Sequence, residues 1–423
     1  MAAPLVAELF GFGLDDIITL LPWVESCDWC DQIPAGWFVL AGAIVLLFAY
    51  KSPLRRVCVV AAFIVVTVYL VLQPVSGLVV STIGGGPLQI IETDKETDCQ
   101  ELLTPLADSG AHTDPAWSKD GTRLAYVRDT DGTWRLHVTD MELFLRSGTR
   151  VAGDRVVGIS GNGHQRHPTW SPDGAIALIR TADSVDNATA GTLVVRWSDG
   201  SMSELDGRSR DLRPDWSPDG RWIVFARQDQ RSGRTSLHVV EVRDGSFGQV
   251  LPLLDGNLVT AELGNDAPVN LNHPRWSPDG ESVLFVFHRE DGSGSTGLGR
   301  VGVDINQHGF RLSDLQVIRR PPEEPDDVDG RYSYGGPTEP TWSADGRSIV
   351  YSAVPVETSD PTRAAESRAL LIVADINDGT LENRRPLVYW DDEGSGSCPH
   401  FGAMDWSPSP TLVQRVRGLF SRG

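Results

Sequence analysis

One eight-residue motif recurs along the chain and constrains its fold more than any other feature. It reads DPAWSKDG from Asp114, HPTWSPDG from His167, RPDWSPDG from Arg213, HPRWSPDG from His273 and EPTWSADG from Glu339. A degenerate sixth copy, MDWSPSP, begins at Met404. The spacings of the motif tryptophans are 53, 46, 60, 66 and 64 residues, and these tryptophans are Trp117, Trp170, Trp216, Trp276, Trp342 and Trp406. Self-similarity at such a period predicts repeated supersecondary units.

Each copy is followed by short runs rich in β-branched and aromatic residues, which are typical of strands. TRLAYVR follows the first copy, RWIVFAR the third and RSIVYSA the fifth. A second run follows in most units, for example WRLHVTD and SLHVVEV. Proline presets φ at the first position of a turn and glycine accepts positive φ, so Pro-Asp-Gly predicts the tip of a β-hairpin.

A sheet of about four strands cannot bury both of its faces alone. Radial stacking solves this problem, because each blade covers its neighbour and no long edge stays open. The motif tryptophans then supply a large apolar area at the same place in each blade. A ligand-binding role for these tryptophans is the alternative, but their regular recurrence gives it no support. The predicted fold class is therefore all-β, a β-propeller.

The pattern x-P-x-W-S-P-D-G followed by a strand resembles the repeat of the TolB-type β-propeller, a relative of the WD-type propellers. Five copies match well, whereas the sixth has Met404 in place of proline and Ser409-Pro410 in place of Asp-Gly. The resemblance spans roughly residues 88 to 415 and leaves no room for the α/β domain that precedes the propeller in TolB. It implies a six-bladed ring used for protein binding.

The ends of the predicted ring indicate how it closes. Only 17 residues follow Trp406, too few for a complete blade. Before Trp117 lie two strand-like pieces without a motif, PLQIIET from Pro87 and CQELLTPL from Cys99. We therefore expect a composite last blade, with inner strands from the C-terminus and outer strands from residues 87 to 106.

The N-terminal part of the chain has a different composition. Residues 33–50 and 57–80 form two apolar runs long enough to span a bilayer, and they predict a transmembrane hairpin within residues 33–83. Lys51, Arg55 and Arg56 lie between the runs and place that loop on the cytoplasmic side. The prediction is a multi-pass protein of the cell membrane with its propeller on the extracytoplasmic side. A cleaved signal peptide is the competing interpretation, but a basic n-region is missing.

The remaining boundaries follow from these two assignments. Residues 1–32 are predicted to form an amphipathic segment that lies on the membrane surface or packs on the transmembrane pair. Residues 84–87 are predicted to be a glycine-rich linker, and residues 88–423 the propeller. The net charge of −20 excludes a nucleic-acid footprint, so the expected partners are the membrane and a protein or peptide.

The cysteines leave several possibilities open. Cys27 and Cys30 form a C-x-x-C pair, for which the sequence favours a local disulfide or two free thiols over redox activity. Cys99 and Cys398 flank the predicted ring closure, and a disulfide between them would lock it. Their Cα atoms can also lie too far apart for a bond, because Cys398 precedes an inner strand and Cys99 opens an outer one.

Motifs for catalysis, metal binding or cofactor binding are missing from the sequence. It contains no G-x-S-x-G elbow, no H-E-x-x-H and no four-cysteine set, so we predict no catalytic residue, metal or cofactor. The residue three before each motif tryptophan is polar or charged and is predicted at the mouth of the central channel. These residues are Asp114, His167, Arg213, His273 and Glu339.

Two functions follow from these residues. Polar groups that converge on a concave site favour capture of a protein or peptide. The simpler interpretation is that these side chains pair with one another and line a water-filled channel. The predicted function is a binding or assembly module at the cell envelope. The alternative is a propeller enzyme, a hydrolase or lyase that acts on peptide or carbohydrate with His167 and His273 in the channel.

Overall fold

The structure is a computed structural model that describes the strands and most of their connections. The described residues are 77–82, 88–92, 97–98, 111–144, 148–157, 159, 163–181, 191–205, 210–243, 245–264, 268–290, 296–306, 309–318, 334–355, 370–377, 379–389 and 401–406. The chain divides into two compact units, Met1–Gln73 with Leu143–Thr149, and Pro74–Glu142 with Arg150–Gly423. The second unit contains the innermost strands and the site. The predicted segment 1–32, the first span 33–50, the linker 84–87 and the four disulfide candidates lie outside the described residues.

Five antiparallel sheets of consecutive strands form the blades of a β-propeller, which confirms the predicted all-β class. Blade 1 consists of β4 (His112–Trp117), β5 (Arg123–Thr130), β6 (Thr133–Phe144) and β7 (Gly148–Val156). Blade 2 consists of β8 (Gln165–Trp170), β9 (Ile176–Arg180), β10 (Thr192–Arg196) and β11 (Met202–Glu204). Blade 3 consists of β12 (Asp211–Trp216), β13 (Trp222–Gln228), β14 (Thr235–Arg243) and β15 (Ser246–Leu254).

The last two blades follow the same order. Blade 4 consists of β16 (Val269–Trp276), β17 (Ser282–Arg289), β18 (Thr296–Asn306) and β19 (Gly309–Ile318). Blade 5 consists of β20 (Tyr334–Trp342), β21 (Ser348–Pro355), β22 (Leu370–Asn377) and β23 (Thr380–Tyr389), and the short strand β3 (Thr97–Asp98) adds to it in parallel. Helix α1 (Gly256–Leu263) joins blades 3 and 4, and the Asp255 side chain caps its N-terminus.

The prediction of six blades is wrong: the described residues form five, and a smaller sheet takes the place of the sixth. This closing sheet has three strands, in the order β2 (Gln89–Glu92), β1 (Gly77–Thr82) and β24 (Phe401–Trp406). The C-terminal strand β24 is innermost and pairs with β1, which lies before the range 87 to 106, and β2, within that range, is the outer strand of the sheet. The same range also contributes β3, which pairs with β23 of blade 5 instead.

The structure also corrects the predicted transmembrane hairpin. Residues Gly77–Thr82, which include the end of the second predicted span, form strand β1, and Leu78, Val79 and Val80 are fully buried in it. A run of leucine and valine suits a buried strand as well as a membrane helix, so composition alone did not separate the two. Nowhere in the described ranges is a helix long and apolar enough to cross a membrane. The predictions of a transmembrane hairpin, a membrane partner and a multi-pass extracytoplasmic location are therefore not supported.

The core is divided into apolar clusters between neighbouring sheets, and each motif tryptophan lies in one of them. Trp216 packs with Ala177 and Val195 of blade 2 and with Phe225 of its own blade. Trp117 packs in the same way with Val79 of the closing sheet. Five motif tryptophans are at most 7% exposed, whereas Trp406 is only partly buried at the closing sheet. The side chains of these tryptophans thus fill the gap between successive sheets.

The turns that follow the tryptophans repeat one hydrogen-bond pattern. In blade 3 the Ser217 hydroxyl donates to Asp219 Oδ1 at 2.5 Å and accepts from the Trp222 amide at 2.9 Å. The following Gly220 has φ of 71°, which confirms the predicted use of glycine in the turn. We call the end of the ring that carries these turns the turn face. The opposite end, where the innermost strands begin, is the mouth face.

Candidate functional site

A β-bulge in each innermost strand positions the residue that the sequence placed at the channel mouth. In blade 3, Leu212 pairs with Ala226 and Asp215 with Val224, so Arg213 and Pro214 together oppose the single residue Phe225. The same shift occurs between Thr113 and Ala116, Arg166 and Thr169, Asn272 and Arg275, and Thr338 and Thr341. Proline lacks an amide hydrogen and is tolerated inside a sheet at such bulges. The motif proline therefore marks the bulge.

The residue before each of these prolines has a left-handed backbone conformation. The φ values are 50°, 52°, 47°, 52° and 49°, and we call the five residues the mouth ring: Asp114, His167, Arg213, His273 and Glu339. Positive φ is uncommon outside glycine and strains such residues unless the surrounding structure enforces it. The bulge enforces it here in all five blades.

The mouth ring converges on a small cavity in the channel. Four of its members line this cavity: Asp114, His167, Arg213 and His273. The adjacent prolines, Arg275 of blade 4 and Ala403 of the closing sheet complete the lining. Glu339 is held against two of them by the contacts given below. The cavity volume is about 20 Å³, which is enough for a water molecule but not for a substrate.

Three members of the mouth ring form an ion-pair network that joins blades 3, 4 and 5. The Arg213 guanidinium donates to both carboxylate oxygens of Glu339, with Nη1–Oε2 and Nη2–Oε1 distances of 2.7 Å. Nε2 of His273 lies 2.8 Å from Oε1 of the same carboxylate. The side chains are 23% exposed for Arg213, 14% for Glu339 and 11% for His273. The network is thus nearly withdrawn from solvent.

This network fixes the ionisation of its members. Burial favours the neutral form of Glu339, but Arg213 and His273 outweigh burial and hold the pKa of Glu339 well below its usual range. Burial, followed by the charge of Arg213, lowers the pKa of His273 to about 4. His273 is therefore neutral at pH 7, and because ionised Glu339 only accepts, Nε2 of His273 carries the proton.

Asp114 and His167 form the other half of the ring. Asp114 Oδ2 accepts a hydrogen bond from the His167 amide at 3.1 Å, and Oδ1 accepts one from the Thr113 hydroxyl at 3.2 Å. Burial lowers the pKa of His167 to about 3, so this imidazole is also neutral at pH 7. Nδ1 of His167 and Nδ1 of His273 are both buried without a hydrogen-bond partner among the described protein atoms.

Below the ring, an aspartate that the sequence analysis missed links three blades. Asp215 of blade 3 accepts from the Thr169 hydroxyl of blade 2 at 3.0 Å and from the Trp276 amide of blade 4 at 2.8 Å. Arg275 Nη1 lies 3.9 Å from the same carboxylate. The signal for this residue was its position, directly before the motif tryptophan.

Asp405 makes the equivalent contacts on the opposite side of the channel. It belongs to the closing sheet, accepts from the Trp117 amide of blade 1 at 2.7 Å, and lies 3.4 Å from the Thr341 hydroxyl of blade 5. Burial raises the pKa of Asp405, with Arg275 and Lys119 opposing it. The degenerate sixth motif thus supplies an aspartate that bonds the closing sheet to blade 1.

A second cavity lies on the mouth face between the β13–β14 turn and the start of α1. Its volume is about 190 Å³, and Asp229, Arg234 and Asp255 are among the residues that line it. Its acidic groups already have partners: Asp229 accepts from the Ser232 amide and hydroxyl, and Asp255 caps α1. Arg234 pairs with Glu290 at 3.2 Å. Because these side chains already have partners within the protein, they do not indicate which kind of ligand the cavity would bind.

Among the residues that the structure describes, no three His, Cys, Asp or Glu side chains are grouped so as to hold a metal ion. Cys27, Cys30, Cys99 and Cys398 lie outside the described ranges, so their pairing stays a prediction.

Comparison with known proteins finds similarity in solved structures alone. No protein-family model and no curated protein matches the chain. TolB from Acinetobacter baumannii is similar with a TM-score of 0.48 and 18% identity, over 78% of this chain and 66% of that one, just under two thirds of its length. A structure assigned to TolB from Agrobacterium tumefaciens has a TM-score of 0.44 and 17% identity, over 79% of this chain and 98% of that one. A puromycin-hydrolysing peptidase from Mycobacterium tuberculosis has a TM-score of 0.42 and 17% identity, over 74% and 45%.

Proposed function

We propose that this chain is a protein-binding propeller whose partner docks on the mouth face, over the mouth ring. The observation that supports this proposal is the combination of a rigid ring of polar residues with a cavity of only about 20 Å³. Sites for small molecules usually measure about 300 to 1,000 Å³. The described mouth therefore favours recognition of a surface over enclosure of a substrate.

The ion-pair network supports the same role. Arg213 is anchored by Glu339 yet keeps 23% of its side chain exposed. Arginine is enriched among the residues that carry most of the energy of protein interfaces. A side chain already fixed by its own protein loses little conformational freedom when a partner binds. The network thus presents a preorganised contact at the centre of the mouth face.

An enzyme that uses His167 and His273 is the alternative, and the site gives it less support. A general base works best when its pKa lies near the working pH, but burial lowers the pKa of these imidazoles to about 3 and about 4. In addition, Nε2 of His273 is engaged by Glu339. Both features favour a structural and binding role for the two histidines.

The test is affinity capture from lysate with matched variants of the two faces. The Arg213→Ala/Glu339→Ala double variant removes both main partners of the pair, so neither is left as an unpaired buried charge. Asp173→Ala/Glu281→Ala, at exposed positions of the turn face, is the control. Wild type and control should retain the same proteins, and the mouth variant should lose them while its thermal unfolding stays cooperative. Equal capture by all three would reject the proposal.

A further inference from the structure

One arginine beside the mouth ring is half-buried without a counter-ion in contact. Arg166 directly precedes His167 in strand β8. Its guanidinium carbon lies 4.3 Å from the centroid of the Trp134 ring, and burial lowers its pKa. Stacking on an aromatic ring satisfies the face of a guanidinium but leaves the N–H groups at its edge unused.

Within the described part of the chain, the Arg166 side chain has no hydrogen bond and no carboxylate within ion-pair distance. Neighbouring arginines of the mouth face differ from it. Arg213 is paired with Glu339, and Arg227 donates to both oxygens of the buried Asp211 at 2.7 and 3.3 Å. No nitrogen of Arg166 is among the buried polar atoms without a partner, so its N–H groups are open to solvent and available to an anionic group.

The charged residues around Arg166 indicate which kind of anionic group it would bind. The charges of Asp114 and Asp129 act favourably on Arg166 from a distance, and the charge of Arg213 acts against it. Both terminal nitrogens of Arg213 already contact Glu339, so of these two arginines Arg166 is the one with a free edge. A planar guanidinium fixed on a tryptophan matches a planar carboxylate through two parallel hydrogen bonds.

We propose that the partner presents a carboxylate to Arg166, so that the Trp134–Arg166 pair forms a carboxylate subsite of the mouth face. This inference rests on the proposed function, because it names the chemistry of what docks there. The carboxylate comes from an acidic side chain or from a C-terminus. Since the whole chain carries a net charge of −20, long-range attraction does not bring an acidic group to the mouth. Recognition of the carboxylate therefore depends on direct hydrogen bonds from Arg166 and not on long-range attraction.

The test uses two random peptide libraries displayed on phage, one fused at its C-terminus and one with free C-termini. Peptides are selected on the wild-type chain, and those that lose binding to Arg213→Ala/Glu339→Ala are kept as mouth-face ligands. Their affinities are then measured for Arg166→Gln and Arg166→Lys. Arg123→Gln is the matched control, because Arg123 stacks on Trp170 at 4.5 Å but lies next to a turn-face hairpin.

We expect aspartate or glutamate at a shared position in the first library, or a requirement for the free C-terminus in the second. The affinity should fall about tenfold or more in Arg166→Gln, less in Arg166→Lys, and not in Arg123→Gln. Mouth-face ligands without a carboxylate, or with equal affinity for Arg166→Gln, would overturn this inference and leave the proposed function standing. If no selected peptide depends on the mouth face, the proposed function fails together with this inference.

Discussion

Five non-glycine residues of the mouth ring share a conformation that costs each of them about 1 kcal/mol or more. The packing of the hydrophobic core does not account for polar side chains at these positions. The bulge and the following proline enforce the conformation, and the contacts among Arg213, His273 and Glu339 offset part of the strain. Strained residues that recur around one channel are a feature of functional sites, which agrees with the proposed role of the mouth face.

At His167 the strain can be measured directly. Its φ is 52°, and Nδ1 of its ring has no hydrogen-bond partner among the described protein atoms. Glycine accepts this φ freely, whereas alanine keeps the Cβ that clashes. We expect His167→Gly to be more stable than His167→Ala by about 1 kcal/mol in urea unfolding. The opposite order of stability would show that the left-handed conformation is not present in solution.

The network should also make the protein sensitive to acid. The folded pKa of His273 is lowered from 6.5 to about 4, so the unfolded chain binds more protons between these values. The contribution of neutral His273 to stability is therefore complete above pH 6.5 and is lost as the pH falls toward 4. We expect the free energy of unfolding of wild type to decrease over this window, and that of His273→Gln to decrease less. If the free energies of unfolding of the two proteins changed with pH in parallel, the lowered pKa of His273 would be contradicted.

At the scale of elements, the innermost strand of each of the five blades contains a bulge and an inter-blade tryptophan, and a turn follows it. The motif predicted the tryptophan between blades and the glycine of the turn, whereas the bulge at the motif proline is known from the structure alone. The recurrence of the motif also predicted that the five mouth residues occupy equivalent positions, whereas their role in binding stays a prediction. Pairing among the mouth residues was one of the two interpretations of the sequence, but the particular pair was not predictable, because Arg213 and Glu339 lie 126 positions apart and only the closed ring brings them together. Asp215 and Asp405 were missed because the residue directly before the motif tryptophan differs from copy to copy.

The tryptophans provide the test at this scale. Trp216 is 1% exposed and packs between blades 2 and 3, so truncation leaves a large cavity. We expect Trp216→Ala to lose about 3 to 5 kcal/mol of unfolding free energy in urea titrations. Val156→Ala, at a residue that is 62% exposed, serves as the control and should change stability little. A Trp216→Ala protein as stable as the control would exclude the inter-blade role.

At the scale of the whole molecule, the closing sheet joins the two ends of the ring. Strand β1 comes from before blade 1 and β24 from after blade 5, and they pair antiparallel. Asp405 then bonds this sheet to blade 1 through the Trp117 amide. The number of blades was not predictable from the motif count, because the sixth copy supplies only one strand of a three-stranded sheet. The apolar run that contributes β1 satisfied the composition of a membrane span equally well.

The central claim is that a protein partner docks on the mouth face, and site-specific photo-crosslinking in cells that naturally produce the protein tests it most directly. Benzoylphenylalanine is placed at Asp131 and Arg231, exposed residues in mouth-face hairpins, and at Asp173 and Asp279, exposed residues in turn-face hairpins. The account predicts one common partner crosslinked from both mouth-face positions and from neither turn-face position. A partner crosslinked from the turn face alone, or no crosslink from the mouth face, would contradict it.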